Sequence, residues 1–201
     1  MNVPVLSSLY LAPLEYYAVL AAQDSVVIDL HEHFVKQTWR NRCRIAGPNG
    51  LQDLVIPVEK YANHTPAKDI RMSYHEQWQR LHWRSIKTAY GNSAFFEFYA
   101  DYFSPFYEAR KTELLSDFNR EILELTLRLL KINCSISYSE NFIETADADY
   151  REKISPKSHV LFSAVPRYAQ VFEERHGFQQ NLSVIDLLCC AGPESGRLLK
   201  G

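Results

Sequence analysis

Apolar and polar positions alternate along this chain with two different periods, and the switch between them sets out the elements. Val3 to Leu9 reads as a first strand, with Pro4 at its entry where a missing N–H does little harm. Pro13 opens a helix at a favoured position, and Leu14, Tyr17, Ala18 and Ala21 fall on one face at helical spacing. Val26-Val-Ile28 is a short β-branched run that predicts a buried strand ending at Asp29. Strand, helix and strand in so few residues form the signature of a parallel α/β unit. Its crossover brings the loop before Pro13 and Asp29 to a common edge of the sheet.

Arg42 to Val58 predicts two strands around the turn Gly47-Pro48-Asn49-Gly50. A third short strand is expected over Asp69–Met72. From Glu76 to Tyr90 the period becomes helical. Trp78, Leu81, His82, Ser85, Ile86 and Ala89 form the expected packed stripe, and Arg80, Arg84 and Lys87 form another face. Gly91-Asn92 stops this helix and Ser93 is placed to cap the next, a helix dense in Phe and Tyr that Pro105 interrupts or ends. Glu113 to Lys131 carries a clear apolar stripe from Leu114 to Leu130. Asn133 to Tyr138 alternates like a strand, and Asn141 to Pro156 reads as an exposed acidic loop. Arg167 to Phe172 fits a helical turn or a short strand. Asn181 or Ser183 caps a last helix that Gly192-Pro193 closes. The fold expected is α/β: a single Rossmann-like domain over residues 1–201, with a mainly parallel sheet, helices on both faces and an inserted β-hairpin.

Composition narrows the function classes. The 201 residues suffice for one sizeable core, and a net charge of −2 gives no general attraction for nucleic acid. No apolar run approaches the roughly 20 residues that span a bilayer. The N-terminus has no basic stretch before its short apolar segment, so no signal peptide is expected. Cys43, Cys134, Cys189 and Cys190 make no CxxC pair and read as buried thiols; a cytoplasmic location fits. No P-loop, GxSxG, HExxH, EF-hand or GxGxxG pattern occurs, and the cofactor is left unknown.

Candidate chemistry concentrates after Asp29. His31, His33, Lys36, Trp39, Arg40, Asn41, Arg42 and Arg44 follow within fifteen residues. Arginine forks and Lys36 suit phosphate or carboxylate, Asn41 suits hydroxyls, and Trp39 suits stacking on a sugar or base. The ligand expected is an anionic or sugar-containing small molecule. Asp29 and His31 are the candidate catalytic groups, His31 as a base because imidazole titrates near neutrality. Lys36, Trp39, Asn41, Arg42, Arg44 and Lys87 are the candidate substrate-binding residues. The bland alternative makes the cations a solvated strand face, with Trp39 plugging the core edge. His31 and His33 share a face if extended, but no third ligand stands out, so no metal site is assigned. One pocket enclosing Asp29 and the cations downstream is the arrangement expected.

The chain resembles the WbqC-like protein family. The matching segments are Pro13-Leu-Glu-Tyr-Tyr-Ala-Val-Leu-Ala-Ala-Gln-Asp24, Phe34-Val-Lys36-x-x-Trp39-Arg-Asn41-Arg42-x-Arg44-Ile45 and Leu54-Val-Ile-Pro-Val58. Further matches are Trp83-Arg-Ser-Ile-Lys87-Thr-Ala-Tyr90 with Phe95-Phe96, then Asn181-Leu-Ser183-Val-Ile-Asp186-Leu-Leu188 and Ala191-Gly192-Pro193-Glu194. Members open with Met-Gln-Pro-Tyr, where this chain has Leu6-Ser-Ser-Leu-Tyr10. They carry a glycine-rich segment where this chain has Tyr138 to Glu144 without glycine. The resemblance implies an acyl or aminoacyl (glycine-type) transferase acting on a sugar or nucleotide-sugar in bacterial surface polysaccharide (O-antigen) biosynthesis. Two alternatives stay open: a non-catalytic binding or assembly protein that keeps the fold, and a nucleotidylyltransferase-like nucleotide-binding domain, whose HxGH histidines are absent here.

Overall fold

A computed structural model describes residues 3–108, 112–161 and 167–200. Strand β1 (Val5–Ser7) leads through a buried loop into helix α1 (Leu14–Ala21), and β2 (Ser25–Asp29) returns parallel to β1. Strands β3 (Arg42–Gly47) and β4 (Gly50–Val55) form a separate antiparallel hairpin. Helices α2 (Trp78–Tyr90), α3 (Phe96–Glu108) and α4 (Leu115–Leu130) follow. Strand β5 (Ser135–Tyr138) then completes a parallel sheet of order β1-β2-β5. Short helix α5 (Glu173–His176), α6 (Val184–Ala191) and α7 (Ser195–Leu198) end the chain. This is a mixed α/β architecture, as the switch of hydrophobic period predicts.

Central β2 shows why its sequence is so apolar. Val26 and Ile28 are buried, and the strand is paired on both edges, with Val5 opposite Val27 and Ser25 opposite Ser135. The outer edge of β1 is covered in turn. Val5 N–H donates to the Ala148 carbonyl and Tyr150 N–H donates to the Val5 carbonyl, both at 2.9 Å. The acidic segment expected to be an exposed loop thus lies in part along the sheet edge, satisfying backbone groups that would otherwise be open. The hairpin turns at Pro48-Asn49, and Gly50 takes a φ of 108°, which a side chain disfavours.

Several expectations shift by a residue or change form. On α2 the buried residues include Trp78, His82, Trp83, Ile86, Ala89 and Tyr90, whereas Leu81 is 56% exposed. The core stripe therefore runs on the flank that includes Trp83. Asp69–Met72 does not form a strand: a 3-10 turn spans Ala67–Asp69, and single bridges join Met72 to Val58 and Arg71 to Leu114. Ser93 closes α2 by donating to the Tyr90 carbonyl at 2.7 Å. Pro105 lies inside α3 and does not end it. Ser183 precedes α6, but its hydroxyl donates to the Leu11 carbonyl at 2.7 Å and caps nothing. Residues 167–170 take no regular form before α5. All four thiols are free, with Cys43 and Cys189 buried and Cys134 and Cys190 half-buried. Among the described residues no helix is long and apolar enough to cross a membrane.

Candidate functional site

The carboxylate at the end of β2 is fully engaged. Asp29 is 0% exposed and takes hydrogen bonds from Ser139 Oγ at 2.8 Å, His31 N–H at 2.9 Å and Arg151 Nη1 at 2.7 Å. Arg151 also holds Asp149 through Nη2 at 2.6 Å and donates to the Ile143 carbonyl at 2.6 Å. Its guanidinium holds the Asp149 carboxyl below the usual carboxylate range. A second buried pair lies close by in the chain: Arg40 Nε and Nη2 grip Glu32 at 2.9 and 2.6 Å. Burial pushes the Glu32 carboxyl up, and Arg40 offsets part of that rise. Asn119 donates to the Arg40 carbonyl at 2.9 Å and to Ser8 Oγ at 3.4 Å. The C-terminal edge of the sheet, where α/β folds commonly bind ligands, is thus closed by protein side chains.

The predicted binding residues do not share one pocket with Asp29, and local charge pairing explains why. Arg42 and Arg44 both reach Asp53 across the hairpin, at 3.2 and 2.6 Å, because Arg44 stands opposite Asp53 in register. Trp39 is buried, with the Arg44 guanidinium 5.4 Å from its ring. Asn41 is buried and donates to the Ile56 carbonyl at 2.8 Å. Exposed Lys36 lies over the Tyr61 ring at 5.3 Å. Half-buried His31 places Nδ1 3.4 Å from Ser139 Oγ. His33 turns instead toward His64. Arg42 and Arg44 have a carboxylate of their own, and the Asp29 charge is met by Arg151, 122 residues away in the chain.

The remaining predicted residue, Lys87, opens onto a groove of about 640 Å³ lined by Arg80, Trp83, Arg84, Lys87, Thr88, Tyr107 and Glu108. The helical period of α2 puts Arg80, Arg84 and Lys87 on one face. Trp83 and Tyr107 stack at its base, with ring centroids 5.6 Å apart and planes 8° from parallel. Lys87 Nζ is 5.1 Å from the Trp83 ring and 3.9 Å from the Glu108 carboxylate. Arg80 meets the Gln77 amide oxygen at 3.5 Å. Arg84 has no hydrogen-bond or ion-pair partner among the described residues. The groove combines a flat aromatic base, a hydroxyl at Thr88 and cations with capacity to spare. Sequence periodicity shows the cationic face, but Tyr107 joins it only through the packing of α3 on α2.

A buried hydrogen-bond chain fixes this base from behind. Tyr107 Oη is 2.8 Å from Tyr10 Oη, which is 3.0 Å from His82 Nδ1. His82 Nε2 is 3.2 Å from the Val55 carbonyl, which can only accept. Nε2 therefore carries the proton, Tyr10 donates to Nδ1, and Tyr107 donates to Tyr10. Burial lowers the His82 imidazole to about 4, so it is neutral near pH 7. This contribution to stability is full above the ordinary imidazole range and fades as pH falls toward 4. Tyr10→Phe leaves two buried groups unpaired and is expected to cost about 1–3 kcal/mol in urea unfolding. An unchanged midpoint would mean the chain contributes nothing.

Among the described residues no group of three or more His, Cys, Asp or Glu side chains is placed to hold a metal. Comparison with known proteins adds a family assignment. No solved structure matches the chain. It is similar to the uncharacterized protein Rv1507c of Mycobacterium tuberculosis (strain ATCC 25618 / H37Rv), with 26% identity over 227 aligned positions covering 99% of this chain and 97% of the relative. The model of the WbqC-like protein family matches residues 8–161, a span that includes both the closed sheet edge and the α2–α3 groove. The chain belongs to the WbqC-like protein family.

Proposed function

We propose that the protein binds a sugar bearing phosphate, such as a nucleotide-sugar, in the groove between α2 and α3. The observation that carries this reading is Arg84, without a hydrogen-bond or ion-pair partner among the described residues, beside Arg80 and Lys87 and above the stacked Trp83–Tyr107 base. A guanidinium without a carboxylate partner is free to take a phosphate in a forked pair, and an apolar aromatic base suits a sugar or nucleobase face. The closed sheet edge favours the groove as the place of binding, because a ligand there displaces no buried ion pair.

Acyl or aminoacyl transfer onto the bound sugar is the chemistry that the resemblance implies. One feature of the groove supports it: Glu108 stands on the rim beside Lys87. A sugar hydroxyl would attack the carbonyl carbon of an activated acyl donor. The O–C bond forms, the donor's bond to the acyl group breaks, and Glu108 takes the hydroxyl proton.

Calorimetric titration with nucleotide-sugars, sugar phosphates and the matching neutral sugars tests the reading. The phosphorylated ligands are expected to bind, and Arg84→Ala or Lys87→Ala to weaken them about 10- to 100-fold, the worth of one charge-assisted hydrogen bond. Glu108→Gln should retain that binding and lose transfer. Equal binding of neutral sugars, or no effect of either cation substitution, would sink the proposal.

A further inference from the structure

We propose that His33 and His64 form a binding site for a zinc-type divalent cation, separate from the groove. Their Nδ1 atoms lie 3.3 Å apart, with ring centroids at 4.7 Å and planes 67° apart. Zinc–imidazole bonds of about 2.0–2.1 Å at a tetrahedral centre separate two ligand nitrogens by about 3.3–3.4 Å. The two ring nitrogens thus already stand one tetrahedral edge apart. Water would complete the remaining positions, which makes this a two-ligand surface site, weaker than zinc centres with three or four protein ligands.

The surroundings hold this pair together without closing it. His33 bridges Pro66 in an antiparallel backbone contact, and Phe34 N–H donates to the Thr65 carbonyl at 3.0 Å. These bonds staple the 31–36 loop to the 61–66 loop. Thr65 secures its own turn by donating from Oγ to the Ala62 carbonyl at 2.7 Å. His64 itself adopts a left-handed φ of 62°, which a non-glycine residue keeps only where its surroundings enforce it. Phe142 stacks on the His33 ring, with centroids 5.8 Å apart and planes 11° from parallel, and fixes its orientation. Both histidines remain exposed, so a cation has access.

Without metal, one Nδ1–H donates to the other Nδ1. Binding moves that proton to Nε2 through solvent, freeing the second lone pair. Imidazole pairs select borderline cations such as Zn²⁺, Ni²⁺ or Cu²⁺ over Mg²⁺ or Ca²⁺, which demand oxygen.

Titration of Zn²⁺ into the reduced full chain tests this. One saturable site is expected, weakened at least about tenfold by His33→Ala or His64→Ala and retained in His75→Ala, whose side chain is exposed elsewhere. Mg²⁺ should give no saturable heat. Co²⁺ in place of Zn²⁺ should give visible d–d absorption that His33→Ala removes. Absence of saturable Zn²⁺ binding, or wild-type affinity in either histidine variant, would overturn the proposal. So would a thiolate-to-cobalt charge-transfer band, which would place the metal on Cys134 or Cys190.

Discussion

Replacing Arg151 by alanine is expected to destabilise the protein by about 3–5 kcal/mol, the cost of stranding a buried charge. Asp29 is 0% exposed and the Arg151 side chain is only 8% exposed, so water cannot take over the lost partner without opening the sheet edge. The three other donors to Asp29 are neutral: Ser139 Oγ, His31 N–H and, at 3.4 Å, Ile143 N–H. They ease the charge but do not balance it. Arg151 also ties Asp149, whose neighbours Ala148 and Tyr150 cover the edge of β1. Its loss should therefore loosen residues 143–151 as well as lower the unfolding free energy. Urea unfolding reads the first effect, and amide exchange of Val5 and Tyr150 reads the second. Asp29→Asn combined with Arg151→Ala should recover part of the loss, because the stranded charge is then gone. Additive single effects would show that the pair is not what holds this edge.

This network also marks where sequence reasoning runs out. The position of Asp29 at a strand end is legible from Val26-Val-Ile28, but its partner is not, because Arg151 arrives from 122 residues downstream. Reading locally, the nearest cations are Lys36, Arg40, Arg42 and Arg44, and they are the natural candidates to face it. Three of those four are neutralised close by. Arg40 takes Glu32, while Arg42 and Arg44 take Asp53. The Arg44–Asp53 pair was within reach of the sequence, since counting back from the Pro48-Asn49 turn sets the two residues opposite each other. The cationic face of α2 was legible from its period, and the same period misplaced Leu81 because two apolar flanks compete on that helix. Tyr107 and His64 reach their sites through helix packing and loop pairing, neither of which leaves a mark at fixed spacing.

Substituting Asp186 by asparagine is expected to make the protein more stable above pH 6, by up to about 3 kcal/mol. Asp186 lies on α6 and is 0% exposed. Its Oδ2 accepts from Tyr168 Oη at 2.5 Å and Gln170 Nε2 at 3.3 Å, while Oδ1 is buried with no close hydrogen-bond donor among the described residues. Burial pushes the carboxyl up from 3.8 to about 6, and these hydroxyl and amide donors only partly counter it. Protonation therefore favours the folded state. As pH rises from about 4, the unfolded chain ionises this carboxyl while the folded one holds its proton, so stability falls. The fall levels off once pH passes about 6, at about 3 kcal/mol for a rise of this size. Asparagine keeps an acceptor for Tyr168 and Gln170 and stays neutral throughout. Its amide group would occupy the place of Oδ1, and the neighbouring Tyr90 hydroxyl, which helps to hold the Asp186 carboxyl down, has a lone pair to accept from it. Wild type and Asp186→Asn should then converge near pH 4 and diverge by pH 7 in urea unfolding. A variant less stable than wild type at pH 8, with the same slope between pH 4 and 7, would mean that this carboxylate is held charged by contacts that outweigh its burial.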